Sequence, residues 1–211
     1  MKKLLIVTLG FLFVFTNVFS QKRKKNKTEE INYNNIEWRN IGPFRGGRSV
    51  TSSGVLDHPN IFYMGTTGGG LWKTEDYGSS WNNISDGFFK TGTVGSVSVS
   101  ESDPNVVIVG MGEHAARGVM TSMGDGVYVS LDAGKTWVNR GLKNSRHISD
   151  IIIHPKNPNI IYVSVQGAQY GKSKDRGIYR TLDGGKSWKN ILFINDSTGA
   201  SSLSIDMNNP R

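Results

Sequence analysis

Short runs of alternating apolar and polar residues recur along this chain, each closed by glycine, asparagine or proline. The segment Ser96–Ser100 (SVSVS) alternates with a period of two, as a half-buried strand does. The turn ESDPN leads from it into the apolar run Val106–Gly110. A longer loop follows, then Gly126–Leu131, a tight turn, and Thr136–Arg140. The pattern predicts four antiparallel strands. It returns as Ile148–Ile153, Ile160–Val165, Gly177–Leu182 and Ser187–Phe193, and earlier as Val50–Leu56, Ile61–Gly65, Gly70–Thr74 and Ser80–Ile84. Two outlying segments read as strands as well: Ile36–Ile41, and Ser201–Asp206, which stops in an NNPR turn.

The repetition extends to particular residues. IEWRNI, SSWNNI, KTWVNR and KSWKNI align on Trp38, Trp81, Trp137 and Trp188, each within Trp-x-Asn. The last three tryptophans end the element [S/T]-x-D-x-G-x-[S/T]-W: Thr74, Asp76, Gly78, Trp81; Ser130, Asp132, Gly134, Trp137; and Thr181, Asp183, Gly185, Trp188. The tetrapeptides DHPN (57–60), SDPN (102–105) and KNPN (156–159) each precede an apolar run. Repeats of about 50 residues with this much strand chemistry indicate blades or solenoid turns. The D-x-G turn has a mechanical reason: aspartate accepts from main-chain amides two or three residues on, and glycine supplies a positive φ. Tryptophan is expected to cover the hairpin.

Composition sharpens this picture in two places. The chain has 211 residues with 26 glycines, six prolines and no cysteine, so its turns are many and it has no disulfides or thiolate chemistry. A formal charge of +8 suggests a polyanion partner until it is located. Lys2 and Lys3 precede the apolar run Leu4–Phe15, and Val18-Phe19-Ser20 reads as a cleavage site, so residues 1–20 form a signal peptide and residues 21–35 a basic, polar spacer. Of the 25 basic residues, two lie in that leader and five in KRKKNK (22–27), leaving 18 against 17 acids over Thr28–Arg211. The globular part is nearly neutral. The expectation is a secreted or periplasmic protein, cut after Ser20, with no nucleic-acid partner and no membrane anchor in this chain.

On these motifs the chain resembles the Asp-box (BNR) repeat shared by sialidases, sortilin-type receptors and xyloglucanase-type hydrolases, over roughly Ile36 to Arg211. It is most similar to the secreted, sortilin-like propeller proteins of Bacteroidetes-type bacteria often labelled glycosyl hydrolase, through the opening Trp38–Arg48 (WRNIGPFRGGR) and GGGLWKT (68–74). The resemblance implies an all-β, incomplete β-propeller with blades at about 49–85, 95–141 and 148–194. Ile36–Ile41 is then a lone outer strand completing a final blade, and a fourth blade begins near 201. Three blades do not close a ring, which needs 4–8, so the chain reads as an N-terminal fragment with blades missing. The resemblance also places Asp76, Asp132 and Asp183 on peripheral hairpins, away from the ligand face, as structural residues.

Function is then expected at the opposite end. The loops there differ from blade to blade: 66–69, 111–125 and 166–176, with the connections 42–49, 85–94 and 195–200. Their polar candidates for ligand contact are Arg45, Arg48, Glu113, His114, Arg117, Asp125, Tyr170, Asp175 and Arg176. Each has a structural alternative: the two early arginines as ties between blades, Asp125 as a turn, Arg176 as an anchor. Glu113 and His114 are adjacent without a third ligand and make a poor metal site, so no metal and no cofactor is expected.

Two functions compete. A glycoside hydrolase needs two carboxylates flanking the scissile bond. Where the xyloglucanase-type pattern R-T-D-V-G-G carries its catalytic aspartate, this chain reads GTTGGG, with Thr67 in that place. The sialidase Arg-Ile-Pro is also missing, since Arg45 is followed by Gly46-Gly47. No catalytic residue is therefore assigned, and catalytic carboxylates would lie largely outside these residues. A noncatalytic module recognising an extracellular protein, peptide or glycan on the loop-rich face requires no lost residue and is preferred.

Overall fold

The computed structural model of the protein describes residues 47–114 and 121–210. These form twelve strands: β1 (Ser49–Val55), β2 (His58–Thr66), β3 (Leu71–Thr74), β4 (Asn82–Asn83), β5 (Val94–Val99), β6 (Val107–Met111), β7 (Val127–Ser130), β8 (Val138–Asn139), β9 (Ile148–Ile153), β10 (Ile161–Val165), β11 (Gly177–Thr181) and β12 (Lys189–Leu192). They pair in sequence order into three four-stranded antiparallel sheets, β1–β4, β5–β8 and β9–β12. These are three blades of a β-propeller, and no helix occurs among the described residues. The blades stack through their first strands, β1 against β5 and β5 against β9. The expected outer strand Ile36–Ile41 lies outside the described residues.

Two apolar layers join the blades, and alternation along β6 feeds both. Val107, Val109 and Met111 meet Val55, Tyr63, Leu71 and Val94 of the first joint, while Ile108 turns to Val127, Ile148, Ile151 and Val163 of the second. A strand buried on both faces needs a continuous apolar run, hence VVIVGM in the middle blade. Full burial of each such side chain contributes roughly 1.5–3 kcal/mol.

The D-x-G turns are built alike three times. Asp76 accepts from Thr74 Oγ1 at 2.8 Å, from the Ser80 amide at 2.8 Å and from Ser80 Oγ at 2.6 Å. Asp132 repeats this with Ser130 at 2.7 Å and Thr136 at 2.8 and 2.6 Å. Asp183 does so with Thr181 at 2.7 Å and Ser187 at 2.9 and 2.5 Å. The carboxylate clamps a pair of left-handed residues: Tyr77 and Gly78, Ala133 and Gly134, Gly184 and Gly185. The amide of the first residue of each pair donates to Asn60, Asn105 or Asn159, which ties every D-x-G turn to the Pro-Asn turn of its own blade.

Several expected boundaries shift for stated reasons. The outer strands do not begin at Ser80, Thr136 or Ser187, because those amides bond to the aspartate instead of a ladder partner. In the first blade β2 begins at His58 and runs through Pro59, since Asp57, at φ 65°, closes a tighter turn than DHPN implies. Ser201–Asp206 is not a strand. A first strand takes its ladder from the second strand of its own blade, and none follows in the described residues. The segment lies along β9 instead, with the Leu203 amide on Asp150 at 2.9 Å.

The tryptophans do more than cover their own hairpins. Trp137 Nε1 donates to the Ile84 carbonyl of the preceding blade at 3.0 Å, and Trp188 Nε1 to the Arg140 carbonyl at 2.7 Å. The asparagine of Trp-x-Asn fixes a second link: Asn83, Asn139 and Asn190 each donate to the carbonyl fourteen residues earlier, that of Gly69, Asp125 or Arg176. The residue after that carbonyl is glycine every time, at φ 73°, 111° and 113° for Gly70, Gly126 and Gly177. A Cβ on Gly126 would lie 2.0 Å from the Gly141 carbonyl oxygen. Gly126→Ala is therefore expected to cost about 2–3 kcal/mol in urea unfolding. Gly68→Ala, which meets open space, should stay within ~0.5 kcal/mol.

Candidate functional site

The loops between second and third strands open at the end of the stack where β1, β5 and β9 begin. In each blade the amide just past the second strand donates to the residue ahead of the first strand. Thr67 donates to Arg48 at 3.0 Å, Gly112 to Thr93 at 2.9 Å and Gln166 to His147 at 2.9 Å. Arg48, Thr93 and His147 thus occupy equivalent places on the rim. The side chains there do not repeat, unlike the turns at the other end.

The rim is tied across blades by charge and hydrogen bonding. The Arg48 guanidinium pairs with the Glu113 carboxylate; the arginine side chain is 51% exposed and the glutamate's only 1%. A buried carboxylate needs such a partner to stay ionised. His147 is buried, and burial pushes its imidazole below the usual pKa, partly offset by a hydrogen bond to the Glu113 main chain. The neighbouring Arg146 and His114 lower it further, while the Glu113 charge raises it. The ring is neutral at physiological pH, and its Nδ1 has no hydrogen-bond partner. The Nδ1 of His114 is likewise buried without one.

Beside this rim, between the second and third blades, lies an open cleft of about 470 Å³. Arg146 and His147 line it from the connection into β9, Thr121 and Met123 from the second blade, and Gln169, Tyr170 and Lys172 from the third. Among the described residues no three His, Asp or Glu side chains are placed to hold a metal ion.

Residues 69–198 match the family described as Sortilin, neurotensin receptor 3 (Sortilin-Vps10). The chain belongs to the Sortilin-Vps10 family. Among solved structures it is similar to an ancestral GH74 enzyme, at 21% identity and TM-score 0.56, over 77% of this chain and 20% of that one. It is also similar to the GH74 xyloglucanase from Xanthomonas campestris, at 16% identity and TM-score 0.50, over 73% and 22%. These likenesses show a shared propeller fold. The chain spans about a fifth of the length of those two structures. No curated protein matches it significantly.

Within this Sortilin-Vps10 propeller the sequence candidates have different fates. Arg45 and Arg117 lie outside the described residues. Arg48, Glu113 and His114 meet at the rim. Arg176 does not face a ligand: it is buried, with Nε on the Asp196 carbonyl at 2.8 Å and its other nitrogens on the carbonyls of Gln166, Ala168 and Gly171. It organises the 166–176 loop from within. Asp125 is engaged too, accepting from Tyr128 at 2.7 Å and from Thr91 at 3.2 Å, which ties the second blade's loop to the connection before it. Tyr170 is 77% exposed at the cleft and Asp175 is partly exposed. The sequence reading missed Arg146, His147, Gln169 and Lys172. Aligning the residues ahead of each first strand as Gly47-Arg48, Gly92-Thr93 and Arg146-His147 is the signal that finds the first two.

The aspartates of the repeated turns are exposed or partly exposed on their own hairpins and line no part of this cleft. Hydrogen bonds from Ser80 and Thr136 hold Asp76 and Asp132 at about 2, and those from Ser187 hold Asp183 well below the usual carboxylate range. These groups bind protons less readily folded than unfolded. The stability they give is present above the unfolded value of about 3.9 and is lost as pH falls toward 2. Thermal melts from pH 7 to pH 2 are expected to show a steep loss below about pH 4. Asp132→Asn should lower the melting point at pH 7 and make that acid loss shallower.

Proposed function

We propose that this chain is part of a secreted recognition propeller that binds an extracellular protein or peptide on its loop-rich end. The observation that carries the reading is the contrast between the two ends of the blades. At one end the same hydrogen bonds are made three times by the same residue types. At the other, the equivalent rim positions are arginine, threonine and histidine, and the loops differ in length and charge. A scaffold that holds its register at one end leaves the other free to vary for binding. Membership of the Sortilin-Vps10 family supports the same reading.

A glycoside hydrolase is favoured less. Glu113 is buried against Arg48, Asp125 is held by Tyr128 and Thr91, and Thr67 stands where a xyloglucanase-type aspartate is expected. Hydrolysis needs one carboxyl able to hold a proton and another ionised nearby.

With no cysteine in the sequence, a single introduced thiol gives an unambiguous block. Full-length protein should bind members of a displayed peptide library saturably. Coupling a bulky maleimide polymer at Lys174→Cys on the loop-rich end should abolish that binding, and coupling at Lys135→Cys beside a D-x-G turn should spare it. Release of sugar from a glycan panel, lost on mutating a carboxylate of this face, is the outcome against the reading. So is binding blocked only from Lys135.

A further inference from the structure

Arg146 stands where the other two blades carry glycine. Gly47 and Gly92 occupy the equivalent place one residue ahead of the rim, and Gly47 has φ 78°. Arg146 itself sits at φ 60°, and the His147 amide donates back to the Ser145 carbonyl at 2.7 Å across it. A two-residue hydrogen bond around a positive φ is the strained form of the γ-turn, rare for a residue with a Cβ. The turn is pinned, because the Arg146 carbonyl accepts from the Gly124 amide at 2.7 Å. Strain at this position would be relieved by glycine, as it is at Gly47 of the first blade. The side chain is therefore the reason the strain persists.

That side chain is exposed, lines the cleft, and among the described residues has no carboxylate partner; its Nη1 lies 3.1 Å from Met123 Sδ. Lys172, 80% exposed across the cleft, is only loosely paired with Asp196 at 3.4 Å. The lining of the cleft carries the two cations Arg146 and Lys172 and, among the described residues, no carboxylate. The exposed Tyr170 and the buried His147 line the same cleft. An exposed guanidinium recognises a carboxylate through paired N–H donors, and a tyrosine face covers the apolar stem that carries it.

We propose that the cleft between the second and third blades docks an acidic side chain of an extended peptide. Arg146 binds the carboxylate, Tyr170 packs on its stem, and Lys172 adds to the field that draws it in. This deepens the recognition reading above and rests on it.

The test uses fluorescence anisotropy on the full-length protein with an acetylated and amidated hexapeptide bearing three glutamates. Capping both ends removes any terminal carboxylate. The expected result is binding at least tenfold tighter than that of the glutamine counterpart, weakening as salt is raised. Arg146→Gly should weaken it at least tenfold while leaving the unfolding temperature unchanged or higher, since glycine suits the turn. Arg146→Lys should recover only part of the affinity, because a point charge lacks the paired donors. Tyr170→Ala should weaken it several-fold and Lys143→Ala should leave it alone. Equal binding of the glutamine peptide overturns the proposal. So does a lower unfolding temperature for Arg146→Gly with binding intact, which would mark the residue as a brace, or a preference for oligogalacturonate over the peptide. Library peptides that bind regardless of Arg146 refute this inference and leave the recognition reading standing; an absence of any peptide binding removes the reading itself.

Discussion

The structure depends on a hydrogen bond that leaves its own blade. An indole N–H from one blade reaches the carbonyl just past the outer strand of the blade before it, at Trp137 to Ile84 and Trp188 to Arg140. Outer strands of two to four residues, paired on one side only, have little to hold them. The indole both caps that carbonyl and fills the wedge between diverging sheets. The same turn contributes further: the Ala133 carbonyl accepts from Tyr63 Oη at 3.0 Å and Lys73 Nζ at 3.3 Å, both in the preceding blade. Trp81 has no preceding blade among the described residues, and its N–H falls back on Gly78 of its own turn at 3.1 Å. The aspartate therefore matters at one remove. By clamping two left-handed residues it fixes the carbonyl and indole at the angle the neighbour requires.

This arrangement explains why loop length is unconstrained at the other end. The third and fourth strands are registered by the aspartate turn and by the asparagine that reaches back fourteen residues. Of the loop between second and third strands these links hold only the last residue, Gly69, Asp125 or Arg176. That loop can be the short TTGG or the much longer stretch from 111 to 125 without disturbing the sheet. Stacked repeats whose contacts are only with nearest neighbours tolerate such variation one blade at a time.

The architecture was legible because every strand bears on a neighbour with a two-residue period, and because the punctuation recurs. Each of the twelve strands overlaps a segment the sequence marks as a strand, most with shifted ends. The misplaced starts of the outer strands share one cause, side chains competing with the backbone. Ser80, Thr136 and Ser187 look like strand residues, yet their amides belong to the aspartates. At the loop-rich end the guide was non-repetition, and it mixes two kinds of residue. Arg176 is unrepeated because one long loop needs an internal post, and only its four carbonyl contacts reveal that. Arg146 is unrepeated because it replaces a glycine, which shows only when the connections are aligned as carefully as the strands. His147 lies outside the loops singled out from the sequence, and burial gives it its character.

The carboxylates carry the argument about chemistry. Three aspartates in register invite a catalytic reading, but each is surrounded by donors that favour the charged form. A carboxyl held near 2 is almost never protonated at neutral pH, so it cannot serve as a general acid. Nor can it be drawn off as a base without releasing the turn that sets the blade joint. Glu113 is held by the opposite route, buried and paired with the Arg48 guanidinium. Both arrangements use negative charge to position backbone. Among the described residues of the loop-rich end, Arg146 is exposed with no carboxylate partner and Lys172 is held only loosely by Asp196.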